Sequence, residues 1–155
     1  MFQRLASCGV KAKERDYVVL MKAAKDPTKV EEILRRVKAN YDKDKSEKPT
    51  TALYTECISA FARSQEYNAS KVMDLYDELN ELYASTSDPD FRPDSIFYGA
   101  IFDAISKSKS RGEASIRIAM QLLDKMERKF DDGLIDVSPN RYAYTSILSS
   151  ISHAK

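Results

Sequence analysis

Apolar residues return along this chain at steps of three and four, the spacing that places side chains on one face of a helix. Tyr54, Cys57, Ile58 and Phe61 form one such stripe, Ile101, Phe102 and Ile105 a second, and Tyr144, Ile147, Leu148 and Ile151 a third. Each follows a proline and a small polar residue: Pro49-Thr50, Pro93-Asp94 and Pro139-Asn140. Proline ends the preceding segment, and Thr50, Asp94 and Asn140 are residue types that cap free backbone N–H groups, so each pair predicts the start of a first helix. A second helix is predicted after the polar turns "RSQEYNAS" and "SKSRGEAS", on the stripes Val72, Leu75, Tyr76, Leu79 and Ala119, Leu122, Leu123, Met126. The segments "ASTSDPDF" and "DDGLIDV" then read as surface loops.

The same grammar recurs, which makes the sequence a repeat and predicts an all-α fold, an α-solenoid of stacked antiparallel helix-turn-helix units. Tyr98 lies 44 residues after Tyr54, and Tyr144 lies 46 after Tyr98. Upstream, "DYVVLMKAA" and a stripe of Val30, Ile33, Leu34 and Val37 give a weaker pair whose Tyr17 precedes Tyr54 by 37 residues. The expected divisions are a basic tail at 1–13, a degenerate repeat at 14–50, repeats at 51–94 and 95–140, and the first helix of a truncated further repeat at 141–155. The last stripe has no partner in this sequence, so the chain reads as part of a longer array.

Composition narrows the function classes. The 155 residues carry a formal net charge of +1. Residues 1–50 have a net charge of +5, residues 51–94 of −6 and residues 95–155 of +2. Cys8 and Cys57 show neither disulfide nor zinc-ligand spacing, and the single histidine, His153, has no nearby cysteine or carboxylate. No apolar run reaches the roughly 18 residues of a membrane helix. No phosphate-binding glycine loop, nucleophile-base set or cofactor motif is present, so an enzyme is not expected. The N-terminal "MFQRLASCGVKAK" is basic and faintly similar to an organelle-targeting peptide.

The segments "YTECISAF…VMDLYDEL…RPD" and "YGAIFDAI…AMQLLDKM…SPN" resemble pentatricopeptide repeats, whose units pair two antiparallel helices and end in Pro followed by Asp or Asn. The family unit of about 35 residues falls within the range of helical repeats, and these units are longer. Such long, irregular units are similar to those of the non-plant and RNase P-associated branch. The surplus falls in the turns and loops, where added length costs little closure entropy.

The resemblance implies single-stranded RNA lying along the first helices, one base per repeat. It assigns base reading to Thr55 with Asp94 and to Gly99 with Asn140, base flanking to Ala52, Ile96 and Tyr142, and phosphate contact to Arg63 and Lys107. Each of those cations lies nine residues after its tyrosine. The pair Thr55 and Asp94 resembles a purine reader, whereas Gly99 has no side chain with which to select a base. The acidic residues Asp74, Asp77, Glu78 and Glu81 belong to a second helix and are expected to face away from the RNA. The tyrosines at 54, 98 and 144 are expected to pack between helices rather than to stack on bases. No cofactor, metal or membrane is implied; the compartment implied is a mitochondrion or plastid, with the cytoplasm as the alternative. Two other functions fit the residues: a protein-interaction scaffold without RNA binding, and the RNA-gripping arm of a tRNA-processing enzyme whose catalytic part lies beyond Lys155.

Overall fold

A computed structural model describes residues 14–24, 26–45, 47–64, 69–107 and 113–133, together with Tyr144, Thr145 and Leu148. The described residues are helical, with no strand among them. Six α-helices follow in order among the described residues: α1 (Glu14–Ala23), α2 (Pro27–Asp44), α3 (Thr51–Ser64), α4 (Ala69–Thr86), α5 (Ser95–Lys107) and α6 (Glu113–Asp131), with a 3₁₀ turn at Pro89–Phe91. Asn140, Tyr142 and the apolar residues Ile147 and Ile151 lie outside the described residues.

The periodic stripes are the buried faces. Val30, Leu34 and Val37 of α2, Leu53, Tyr54, Cys57 and Ile58 of α3, Val72, Tyr76 and Leu79 of α4, and Phe97, Tyr98, Ile101 and Ile105 of α5 are all lost to solvent. On α6 the same holds for Ala119, Leu122 and Met126. One continuous core results.

The helices sort into two sets. The odd-numbered helices α1, α3 and α5 pack directly on one another in that order, and the contact between α3 and α5 is the most extensive among the described residues. Each odd helix also packs on the even helix that follows it. The even helices make no comparably close backbone approach to one another. They are spanned by long side chains instead: Lys71 Nζ to Glu31 Oε2 at 3.0 Å and Lys38 Nζ to Glu78 Oε2 at 2.8 Å. Both pairs join residues seven positions apart on α2 to residues seven apart on α4, so these two helices run parallel and in register over two turns.

The proline segments are the joints. Asp94 caps α5 through Oδ1, which accepts the Phe97 N–H at 2.8 Å. Thr50 does not act in the expected way: its backbone carbonyl accepts from Leu53 and Tyr54, while its buried hydroxyl finds no hydrogen-bond partner. The neighbouring Thr51 carries the polar contact. Its hydroxyl lies 3.1 Å from the Asp90 carbonyl and 2.9 Å from the Arg92 carbonyl, sharing one proton between them and tying the start of α3 to the entry of α5. Lys48 reinforces the link with Asp88 at 2.8 Å and Asp90 at 2.9 Å. Those bonds hold the Asp88 carboxyl below its usual range and raise the Lys48 ammonium.

The segment "ASTSDPDF" departs from the loop expected of it. Helix α4 continues through Thr86 and stops where Ser87 takes a left-handed conformation, φ 54°, with its N–H on the Tyr83 carbonyl at 2.8 Å. Phe91 is fully buried, edge-on to Tyr41 of α2 with ring centroids 5.5 Å apart. The reason is geometric: a 3₁₀ turn capped by Asp88 rotates the phenyl ring into the gap left between the more widely spaced even helices. Replacing Phe91 by Ala empties that gap, and urea titration is expected to show a loss of about 3–5 kcal/mol; a loss under about 1 kcal/mol would mean that the turn contributes no core.

Candidate nucleic-acid interface

Each odd helix buries one face and leaves the other to solvent, and that exposed stripe is the candidate site. On α1 it carries Arg15, Val19 and Lys22; on α3 Ala52, Glu56 and Arg63; on α5 Ile96, Gly99, Asp103 and Lys107. The stripes of α1 and α3 are joined by Lys22 and Glu56 at 3.7 Å.

Ala52 and Ile96 stand at equivalent places, in the first turn of α3 and of α5. Ile96 is 71% exposed, unusual for so apolar a side chain beside a well-filled core. One turn on, Gly99 sits in a helix with φ outside the left-handed range, and a Cβ there would meet nothing within 4 Å. Space, not backbone strain, distinguishes this glycine. Ile96 and Gly99 together form an apolar shelf beside an open notch.

Thr55 is placed differently from what base reading by a hydroxyl requires. It is 9% exposed, and its Oγ1 donates to the Thr51 carbonyl at 2.8 Å in its own helix. Asp94 is exposed, but one carboxylate oxygen is engaged in the helix cap. The two residues belong to one neighbourhood, because Thr51, one turn before Thr55, touches Arg92, two residues before Asp94.

The cations differ in availability. Arg63 ends α3 exposed and forms no ion pair with a described residue. Lys107 ends α5 and is paired with Asp103 one turn earlier, at 3.2 Å. Both positions also suit the negative end of a helix dipole. Asp103 is an acid on the exposed stripe that the sequence reading passed over; a residue four positions before a lysine on a helix was the available signal. On α4, Asp74, Asp77 and Glu81 are exposed on the other layer, and Glu78 is held by Lys38 and by the Tyr54 hydroxyl at 3.3 Å.

Three of the tyrosines that open first helices do not offer ring faces to a ligand. Tyr17, Tyr54 and Tyr98 are 2%, 0% and 1% exposed. The Tyr17 hydroxyl donates to Glu47 at 2.7 Å, which also accepts from Asn40 at 2.7 Å. Tyr98 meets Tyr76 and Phe97 with ring centroids 6.1 and 6.0 Å apart, and Lys129 and Lys125 of α6 lie over the Tyr76 ring at 5.3 and 6.0 Å. Tyr144 differs from these three: it is 49% exposed and places its hydroxyl 3.3 Å from Glu127 of α6.

Burial raises the phenols of Tyr17, Tyr54, Tyr76 and Tyr98 above their ordinary value, aided by Glu47 at Tyr17 and by Glu78 at Tyr54. Burial likewise pushes the Cys57 thiol up to about 12, which makes it a packing group rather than a nucleophile. Among the described residues no cluster of ligating side chains suits a metal ion, and no described helix is long and apolar enough to cross a membrane.

No model of a known protein family matches the chain, and no curated protein matches it at a significant level.

The buried phenols make a pH test. Their folded-state values lie above the unfolded value of 10.0, so the folded state holds protons that the unfolded state releases as pH rises past 10. The stability they contribute is complete below that pH and is lost above it. Lys129, which desolvation and Lys125 shift down, acts in the opposite sense as a single group. Urea midpoints are expected to fall steadily from about pH 10 upward, with phenolate absorbance for these tyrosines appearing only on unfolding. Full ionisation of the tyrosines in the folded protein would contradict their burial.

Proposed function

We propose that the chain is part of a solenoid of helical hairpins similar to a pentatricopeptide repeat array, and that it binds single-stranded RNA along the exposed stripe of α1, α3 and α5. The observation that carries the reading is the unequal spacing of the two helix sets. The odd helices are closely packed, while the even helices lie farther apart and are bridged by ion pairs between long side chains. A stack whose one layer is more tightly spaced curves toward that layer, so the odd helices line the concave side. That side carries Arg15, Lys22, Arg63 and Lys107 with the apolar shelf of Ile96, a combination suited to a phosphate backbone and unpaired bases. The exposed acids of α4 lie on the opposite layer.

The role follows from these features. Arg63, unpaired with any described residue, is the strongest phosphate contact, and Lys107 contributes after release from Asp103. With Thr55 bonded to its own helix and Gly99 bare, this stretch grips RNA with little preference for sequence. The proposed work is to protect RNA or to present it to other factors, in a mitochondrion or plastid as the family resemblance implies.

A second reading, a protein-interaction scaffold, is favoured by the exposure of Ile96 and by the pairing of Lys22 and Lys107 with acids. Fluorescence anisotropy on a random single-stranded RNA separates the two. Reversing Arg63 and Lys107 to Glu together is expected to weaken binding about tenfold or more and to flatten its dependence on salt. Binding that survives both reversals contradicts the RNA surface. Absence of RNA binding by the unaltered chain, with capture of a partner protein that survives nuclease, favours the scaffold.

A further inference from the structure

The outward surface of α6 alternates acids and bases along its length. Glu113, Arg117, Met120, Gln121, Asp124 and Arg128 share an arc of about 100°, and exposed Asp131 falls on the same arc at the end of the helix. It faces away from the buried Ala119, Leu122 and Met126 and from Lys129 over Tyr76, and is bordered on one side by Lys125 and on the other by Glu127 beside Tyr144. The charged members are well exposed: Glu113 91%, Arg117 67%, Asp124 54% and Arg128 74%. Met120 is 55% exposed at the middle of this surface, and with half-buried Ile116 it lines a shallow groove of 430 Å³.

We propose that this surface pairs with its own counterpart on a second copy of the chain, the two α6 helices crossing antiparallel between Met120 and Gln121. In that arrangement Glu113 faces Arg128 of the second copy and Arg117 faces Asp124, and the two-fold axis repeats both pairs. The Met120 side chains meet at the centre, flanked by Ile116. The order acid, base, acid, base from Glu113 to Arg128 is what makes the surface complementary to itself when reversed; Asp131 lies past the end of this contact. A parallel pairing would set like charges against each other and is excluded by the same order. The corresponding surface of α4 carries Asp74, Asp77 and Glu81, and two copies of it repel.

The existing pairs within α6, Glu113 with Arg117 at 3.7 Å and Asp124 with Arg128, remain intact and become part of a network across the contact. Exposed ion pairs contribute little each, so the dimer is weak and sensitive to salt. Its two-fold contact closes on itself and leaves the α1, α3 and α5 stripe free, so the proposal stands or falls independently of RNA binding.

Sedimentation equilibrium of the full chain at about 50 mM salt is expected to show a monomer-dimer equilibrium that shifts to monomer as salt is raised to about 1 M. Arg117→Glu alone and Asp124→Arg alone are each expected to weaken association roughly tenfold by opposing like charges. The double variant R117E/D124R exchanges the charges and is expected to restore it. Circular dichroism of each variant monitors the helix, since either single change sets like charges four residues apart within α6 and the double variant does so at both pairs; association is compared only among variants of equal helicity. A chain that stays monomeric at millimolar concentration and low salt overturns the proposal, as does a dimer indifferent to the single reversals or one that the double variant fails to restore.

Discussion

Close packing of one odd helix on the next is the constraint from which the rest of this structure follows. Two helices approach closely over their length only if the facing side chains interdigitate and no polar group is stranded between them. Leu53, Cys57 and Ile58 on α3, with Ile101 and Ile105 on α5, meet that requirement on the apolar side. Thr51 meets it on the polar side, because its hydroxyl satisfies carbonyls of the joint that leads into α5. The prolines at 49 and 93 are buried in these joints, where a residue without an N–H leaves no donor unpaired.

Once the odd helices are fixed, the even ones fill the second layer with more latitude. Their separation is bridged by Lys38 with Glu78 and Lys71 with Glu31 on one side, and on the other by the Tyr76, Phe97 and Tyr98 rings, with Lys125 and Lys129 over Tyr76. Aromatic rings and long cations span distances that aliphatic side chains do not. Phe91 belongs to the same solution, as a loop residue recruited into the core. The segment between α4 and α5 therefore does not interrupt the packing; part of it is used within the core.

How far this was legible in the sequence depends on the kind of signal. The helix stripes were legible because burial imposes a period of 3.6, and every apolar stripe assigned to α2–α5 is found buried or half-buried. Asp94 was legible as a cap because side-chain capping is a local event. Phe91 was not, because its burial depends on the gap beside Tyr41, which only the assembled helices define. Nor were the ends of α2 and α4, which stop at Lys45 and Ser87 in left-handed conformations that residues other than glycine rarely announce. At the candidate surface, Ile96 and Arg63 were singled out through the family resemblance, and both are exposed in the structure. The hydroxyl of Thr55 turning back on its own helix was not legible, since a threonine in a helix has two competing rotamers and sequence does not choose between them.

The proposed RNA surface thus rests on curvature and on a few side chains: Arg63 and Lys107 at helix ends, Ile96 and Gly99 near the start of α5. Its near-neutral surroundings fit a grip whose strength grows by adding units rather than by dense charge within one. Photo-crosslinking of a 4-thiouridine-substituted single-stranded RNA, with the modified peptides identified by mass spectrometry, addresses the claim directly. The account predicts adducts on the exposed stripe of α3 and α5, in the peptides carrying Arg63, Ile96 and Lys107. Adducts confined to α2, α4 or α6 would contradict it.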